Sequence, residues 1–249
     1  MKAIIIAAGK GTRLRPYTEK IPKCLVRLGN KTILSSQIEV FNFFKISNIN
    51  IITGYKKKKI KFKNLKFFYN KDYKKNNILC SLFFAKSVIN GNCIISYSDI
   101  IFNKIIIKKI LRSKADISIV ADINWKKNYL GRTLHPISEA ENVYFNSKNI
   151  LESAGKHLKS SESNGEFIGL LKLNSRGCEI FKKYYLLASK KFKNKSFYNA
   201  KVFEKAYLTD FFNYLIDNNV KINCIKVKNN WMEIDTVQDY KKAQKFFEK

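Results

Sequence analysis

Lys2-Ala3-Ile4-Ile5-Ile6-Ala7-Ala8-Gly9-Lys10-Gly11-Thr12-Arg13-Leu14 sets an unbroken apolar run directly against a glycine turn. A short run of Ile and Ala without polar alternation predicts a strand buried on both faces, as in a parallel sheet. The small residues Ala7, Ala8, Gly9, Gly11 and Thr12 then let backbone N–H groups approach an anion closely. Arg13 adds a planar fork that can clamp phosphate oxygens. Lys23 supplies a second cation after Ile21-Pro22, where proline fixes the direction of the chain. Two other glycine motifs are excluded. The G-x-x-x-x-G-K-[ST] phosphate loop is missing, and Leu14 stands where a dinucleotide fingerprint needs its third glycine. An isolated G-x-G would be an ordinary turn. Here it comes with Arg13, Pro16, Pro22 and Lys23, and it reads as a nucleotide-phosphate loop.

Outward from that loop the chain alternates between two periodicities. Residues 32–44 place Ile33, Leu34, Gln37, Ile38, Phe41 and Phe44 at helical spacing, with Thr32 as N-cap. Strands are predicted over 50–53, 65–69, 92–97, 116–121, 167–173 and 220–227, and helices over 77–89, 105–111, 175–187, 209–218 and 237–247. This alternation implies an α/β fold: a doubly wound, mainly parallel sheet with helices on both faces. Residues 122–165 are polar and irregular, and read as an inserted lid within a single domain spanning 1–249.

With 249 residues and 45% hydrophobic content, the chain has material for a full core without metal or disulfide support. Cys24, Cys80, Cys93, Cys178 and Cys224 form no C-x-x-C pair, which fits a reducing cytoplasm. The apolar run before Gly9 is too short for a signal peptide, and no stretch approaches the ~18 apolar residues of a membrane span. The expected location is cytoplasmic, with no membrane partner. The net charge of +29 is almost all lysine, spread through the chain with one run at Lys56-Lys57-Lys58-Lys59. It reads as a solvated surface that steers anionic substrates, so no specific nucleic-acid partner is expected.

Two carboxylates sit where an open α/β sheet presents its ligands. Asp99 follows the strand over 92–97, and Asp235 lies in Trp231-Met232-Glu233-Ile234-Asp235-Thr236. Magnesium binds through one or two carboxylates plus substrate phosphates, so this pair suffices for a Mg2+ site. Either aspartate can instead cap a following helix, and capping does not exclude a metal.

Ala7 to Leu14, with Pro22-Lys23-Cys24-Leu25, resembles the signature of the nucleoside-diphosphate-sugar pyrophosphorylase superfamily. The resemblance implies a loop wrapped around a nucleoside triphosphate, phosphate stabilisation by Arg13 and Lys23, and Mg2+ on Asp99 and Asp235. Sugar-phosphate members carry a glycine-rich L-G-T-A-G-A-like segment. This chain has Asn76-Asn77-Ile78-Leu79-Cys80-Ser81-Leu82 instead, with Asn77 and Ser81 as nucleotide-facing residues. Together with Glu233-Ile234-Asp235-Thr236-Val237-Gln238-Asp239-Tyr240, this segment is similar to the phosphocholine and aminoethylphosphonate cytidylyltransferases. His135-Pro136-Ile137-Ser138-Glu139-Ala140-Glu141-Asn142 and Gly165-Glu166-Phe167-Ile168-Gly169-Leu170 resemble the phosphonate branch.

The resemblance points to transfer of CMP from CTP to a small phosphonate. Lys156 would meet the phosphonate oxygens and Glu166 or Asp210 the amine, although Lys156 can equally be surface and Asp210 a helix cap. Trp231 would cover a quaternary ammonium if the acceptor were phosphocholine, or would simply pack in the core. His135 with Glu139 and Glu141 gives a weak case for a transition-metal site. The alternatives are a phosphocholine cytidylyltransferase, then a sugar-1-phosphate nucleotidyltransferase. A nucleotide-sensing or RNA-binding protein on the same fold would be expected to have lost Arg13, Lys23, Asp99 or Asp235, and all four are present. A homodimer is among the expected assemblies.

Overall fold

A computed structural model of the chain describes residues 1–247. The strands are β1 (Lys2–Ala7), β2 (Arg27–Leu28), β3 (Lys31–Thr32), β4 (Asn48–Thr53), β5 (Lys66–Tyr69), β6 (Cys93–Tyr97), β7 (Ile100–Phe102), β8 (Ile117–Asp122), β9 (Asn142–Phe145), β10 (Leu151–Ala154), β11 (Gly165–Leu173), β12 (Asn223–Val227) and β13 (Trp231–Glu233). The helices are α1 (Ile33–Phe43), α2 (Ile78–Leu82), α3 (Lys104–Arg112), α4 (Ser175–Lys191), α5 (Leu208–Asp217) and α6 (Val237–Phe247).

The doubly wound sheet read from the sequence is present. Its nucleotide half runs β5-β4-β1-β6 with every pairing parallel. Alternation along β1 sends Ile4 and Ile6 into a core shared with α2, α4 and α5, and Ala3 and Ile5 into one shared with α1 and α3. Thr32 caps α1 as the sequence predicts, accepting a bond from the Ser35 N–H at 3.0 Å. The helix expected over 77–89 is shorter. After α2 the chain tightens into a 3-10 segment over Phe83–Val88, out of helical geometry at Ala85, where Phe83 stacks on Tyr185 of α4.

Strand β11 makes the sheet mixed and shapes the cavity. It runs antiparallel to β8 along one edge. Its other edge is shared: Leu170 to Leu173 pair with β6, and Gly165 and Glu166 pair with β9. The gap between those partners falls at Gly169, where φ is +77° and a Cβ would sit 2.6 Å from the Tyr97 ring. The sheet therefore opens at the carboxyl end of β6, where the strand order changes.

The stretch expected to be a lid divides in two. Strands β9 and β10 form a hairpin that continues the sheet, with Val143, Phe145, Leu151 and Ala154 buried in the core. Its strands are four residues long and carry polar neighbours, so the sequence hides them. Residues 123–141 remain irregular apart from 3-10 turns at Trp125–Tyr129 and Ile137–Glu139. Among the described residues, no helix is long and apolar enough to cross a membrane.

Candidate active site

The glycine turn after β1 borders a cavity of about 320 Å³ at the carboxyl end of the sheet. Gly11 takes φ +60°, and a Cβ there would meet Lys23 Cβ at 2.9 Å. Glycine thus allows Lys23 to pack against the turn. The Thr18 hydroxyl donates to the Gly11 carbonyl at 2.7 Å and fixes the loop from behind. Pro22 leads into a helical turn that buries Lys23 and aims its ammonium into the cavity.

A small ribbon brings the two aspartates together. Strands β7 and β13 pair antiparallel, and the Ile234 N–H donates to the Asp99 carbonyl at 2.8 Å. Lys23 Nζ touches Asp99 Oδ2 at 2.8 Å and Asp235 Oδ1 at 2.6 Å. Asp235 Oδ2 also meets Arg13 Nη2 at 2.5 Å and His135 Nδ1 at 2.7 Å. Burial alone would lower the Lys23 pKa, but Asp99 and Asp235 raise it and hold the ammonium charged. For Asp235 burial favours the neutral acid; Lys23, the His135 bond and Arg13 override it and hold the carboxyl well below the usual range.

The two aspartates fit a hard divalent cation. Their oxygens converge on one position, now held by the Lys23 ammonium, and Asp99 Oδ1 is buried without a hydrogen-bond partner among the described residues. His135 lies beside the same site. Its ring nitrogen, a Glu233 oxygen and an Asp235 oxygen all lie within 4.8 Å of one another. The grouping of His135 with Glu139 and Glu141 is not the one the fold makes. Glu139 instead pairs with Lys156, and Glu141 with Tyr97.

The far wall holds carboxylates of a different kind. Lys156 Nζ bonds Glu139 at 2.7 Å and lies 4.9 Å from the Tyr207 ring centre. Glu141 accepts from the Tyr97 hydroxyl at 3.4 Å, and burial pushes its pKa up to about 8. Glu166 is buried, and its pKa too is pushed well above the usual carboxylate range. One Glu166 oxygen accepts a short bond from the Tyr129 hydroxyl, and the other has no partner among the described residues.

Ala7, Gly9, Gly11, Thr12, Arg13, Lys23, Asn77, Asp99, Lys156, Glu166, Trp231 and Asp235 all line this one cavity. Three expected site residues lie outside its lining. Ala8 turns its side chain into the core, and its carbonyl accepts from Tyr55. Ser81 faces inward, accepting from Asn70 Nδ2 at 2.8 Å and donating to Asn76 Oδ1 at 3.2 Å. Asp210 is a helix cap, accepting from the Tyr207 and Asn199 N–H groups at 2.8 and 3.1 Å. Trp231 forms part of the wall, with its indole N–H donating to Asp122 at 2.7 Å. Sequence reasoning missed Tyr97, Tyr129 and Tyr207, because nothing local distinguishes them among thirteen tyrosines.

The Nucleotidyl transferase family model matches residues 2–96, which end at the last residues of β6. The CTP:phosphoglutamine cytidylyltransferase of Campylobacter jejuni is 31% identical over 96% of this chain and 97% of its own. The choline-phosphate cytidylyltransferase of Streptococcus pneumoniae is 36% identical over 45% of this chain and 51% of its own. Among solved structures, the CTP:phosphocholine cytidylyltransferase of S. pneumoniae superposes with a TM-score of 0.73 at 21% identity, covering 98% of both chains. The inositol-1-phosphate CTP transferase of T. maritima gives 0.74 at 17% identity, covering 100% of this chain and 96% of the other. By the full-length match and the phosphate loop together, the chain belongs to the nucleotidyl transferase family.

Proposed function

We propose that the protein joins the CMP part of CTP to a phosphonate or phosphate oxygen of a small acceptor bearing an N–H amine, aminoethylphosphonate being the type case. In this reaction the acceptor oxygen attacks the α-phosphorus of CTP. A new P–O bond forms there, the α–β anhydride bond breaks, and pyrophosphate leaves. The attacking oxygen is already anionic, so no strong base is required. The backbone of residues 9–12, with Arg13 and Lys23, binds the triphosphate. Asn77, which lines the cavity at the start of α2, is the residue this reading assigns to the base. Mg2+ on Asp99 and Asp235 would neutralise charge at the reacting phosphate. The preference for CTP is supported by the names of the Campylobacter and Streptococcus relatives, both cytidylyltransferases acting on phosphorylated, nitrogen-bearing molecules.

The observation that carries the acceptor reading is Glu166. A buried carboxylate oxygen without a partner favours a donor, and a primary amine brings N–H groups where a quaternary ammonium brings none. An aromatic cage for choline is disfavoured here. Lys156 lies 4.9 Å from the Tyr207 ring centre, and Arg132 lies 5.1 Å from that of Tyr129, so both rings already face a cation. Lys156, screened by Glu139, holds the acceptor's anionic end.

The test is pyrophosphate release by purified protein offered CTP, UTP, dTTP, ATP or GTP with a panel of acceptors. The panel includes aminoethylphosphonate, phosphoglutamine, phosphocholine and glucose-1-phosphate. CTP with an amine-bearing acceptor is expected to turn over fastest, giving a CMP adduct visible by mass. Faster turnover of glucose-1-phosphate with UTP or dTTP, or GTP replacing CTP without loss, contradicts the assignment.

A further inference from the structure

We propose that residues 131–135 act as a strap that positions the metal-binding aspartate, with Arg132 as its anchor. The inference rests on the reading of Asp235 as a metal ligand. Arg132 lies outside the main cavity and lines a smaller pocket of about 180 Å³ behind β13. It is therefore a positioning residue, acting through the carboxylates it holds.

Three sets of contacts make the strap. The Arg132 guanidinium is nearly buried and forks onto Asp239, with Nε at 2.7 Å from Oδ1 and Nη2 at 3.0 Å from Oδ2. The same Nη2 reaches Glu233 Oε2 at 2.8 Å. Next, Gln238 on α6 accepts from the Thr133 and Leu134 N–H groups at 2.9 and 3.2 Å. Its amide donates to the Gly131 carbonyl at 2.7 Å. Finally, His135 reaches Asp235 Oδ2 at 2.7 Å.

These contacts converge on one carboxylate. Asp239 Oδ2 accepts from the backbone N–H of Asp235 at 3.1 Å and of Thr236 at 2.8 Å, so whatever holds Asp239 holds the Asp235 main chain. His135 orients the Asp235 side chain from the other end of the strap. Arg132 also supplies the positive charge that Glu233 needs beside Asp235. Without it, the buried Asp239 and the half-buried Glu233 lose a counter-charge and repel their neighbours. Lysine cannot replace the fork, because one ammonium does not span Asp239 and Glu233 in the same planar geometry. Groups that orient metal ligands in this way typically change metal affinity or activity by roughly 10–100-fold when removed.

The test reads metal binding directly. Free Mn2+ is followed by electron paramagnetic resonance as it is titrated into protein with an equivalent of CTP and no acceptor. Binding is read as the excess over the same CTP without protein, since CTP itself binds Mn2+. Asp235→Asn, Arg132→Ala, Arg132→Lys and Gln238→Ala are compared with the wild type. Asp235→Asn is expected to remove tight Mn2+ binding. Arg132→Ala should weaken it roughly ten-fold, with Arg132→Lys only a partial rescue. Gln238→Ala should weaken it a few-fold in the same direction, and decides the matter if Arg132→Ala does not fold. CTP affinity measured in chelator should stay within about two-fold for both strap variants, since neither residue lines the main cavity. Tight Mn2+ binding by Asp235→Asn would overturn the metal reading itself. Loss in Asp235→Asn with wild-type Mn2+ affinity in Arg132→Ala and Gln238→Ala would overturn the strap and leave the transfer reaction untouched.

Discussion

The two ends of the cavity use carboxylates in opposite ways. At the phosphate-loop end Asp235 is buried, yet Lys23, His135 and Arg13 all touch it, and its pKa is held well below the usual range. At the far wall Glu141 and Glu166 are also removed from bulk water, but among the described residues no arginine or lysine bonds either one. Burial pushes Glu141 up to about 8 and Glu166 well above its ordinary value. Burial pushes all three carboxylates up, and the cations touching Asp235 are what bring its pKa down. A fully charged carboxylate suits a divalent metal that must compete with Lys23. An under-compensated one suits a ligand that arrives with its own positive charge. Environments that push similar groups apart in this way separate their roles in a site.

The contrast is broken most severely at the charged end. Asp99→Asn and Asp235→Asn are each expected to lower turnover about 10³-fold with an unchanged circular dichroism spectrum, because an amide cannot neutralise a metal. Near-normal turnover by either variant would remove that residue from the site. At the other end, Lys156→Ala should lower kcat/KM for the acceptor by roughly ten-fold or more, a tenfold loss being about 1.4 kcal/mol of transition-state binding, while leaving the KM for CTP within about two-fold. Equal damage to both substrates would place Lys156 on the nucleotide instead.

The smallest effect sharpens the comparison through pH. Glu141 binds its proton more tightly folded than unfolded, so its burial costs stability progressively as pH rises from the unfolded value, about 4.5, to about 8. Glu141→Gln mimics the protonated acid. It should raise the melting temperature at pH 9 by a few degrees and change it little at pH 4, where both states of the wild type are protonated. Asp235 has the opposite sign: its contribution is present above the unfolded aspartate value and is lost as pH falls below it. A Glu141→Gln benefit that does not grow with pH would show that this carboxylate is already ionised when folded.

The charged end was also the legible one. Its loop is contiguous, and Gly11, Arg13 and Lys23, which the structure brings to one cavity, carry their proposed roles in residue type and spacing, because a phosphate cradle is built largely from one stretch of backbone. Asp99 and Asp235 were legible as residues following apolar strands, although the β7–β13 ribbon that pairs them was not foreseen. The far wall, the proposed acceptor end, is assembled from distant pieces. Tyr129 reaches Glu166, Tyr97 reaches Glu141 and Lys156 lies over Tyr207, across 37, 44 and 51 positions of sequence. No local periodicity encodes such pairs. Asp210 shows the complementary error. A carboxylate at the start of an amphipathic helix was open to two readings, and the backbone N–H groups of Tyr207 and Asn199 claim it as a cap. Residues 122–165 read as irregular in the sequence because β9 and β10 are too short to show alternation, whereas in three dimensions both bury residues in the core and β10 packs against α5.

The most direct test of the central claim compares phosphoethanolamine with phosphocholine as acceptors for CTP. The two differ only in the three methyl groups that replace N–H donors. If Glu166 and Glu141 receive an N–H-bearing cation, phosphoethanolamine should have kcat/KM at least about ten-fold higher, the difference of one charge-assisted hydrogen bond. Glu166→Gln should shrink that ratio toward one. Phosphocholine turning over as fast or faster, with the ratio unmoved by Glu166→Gln, would contradict the account of how this cavity chooses its acceptor.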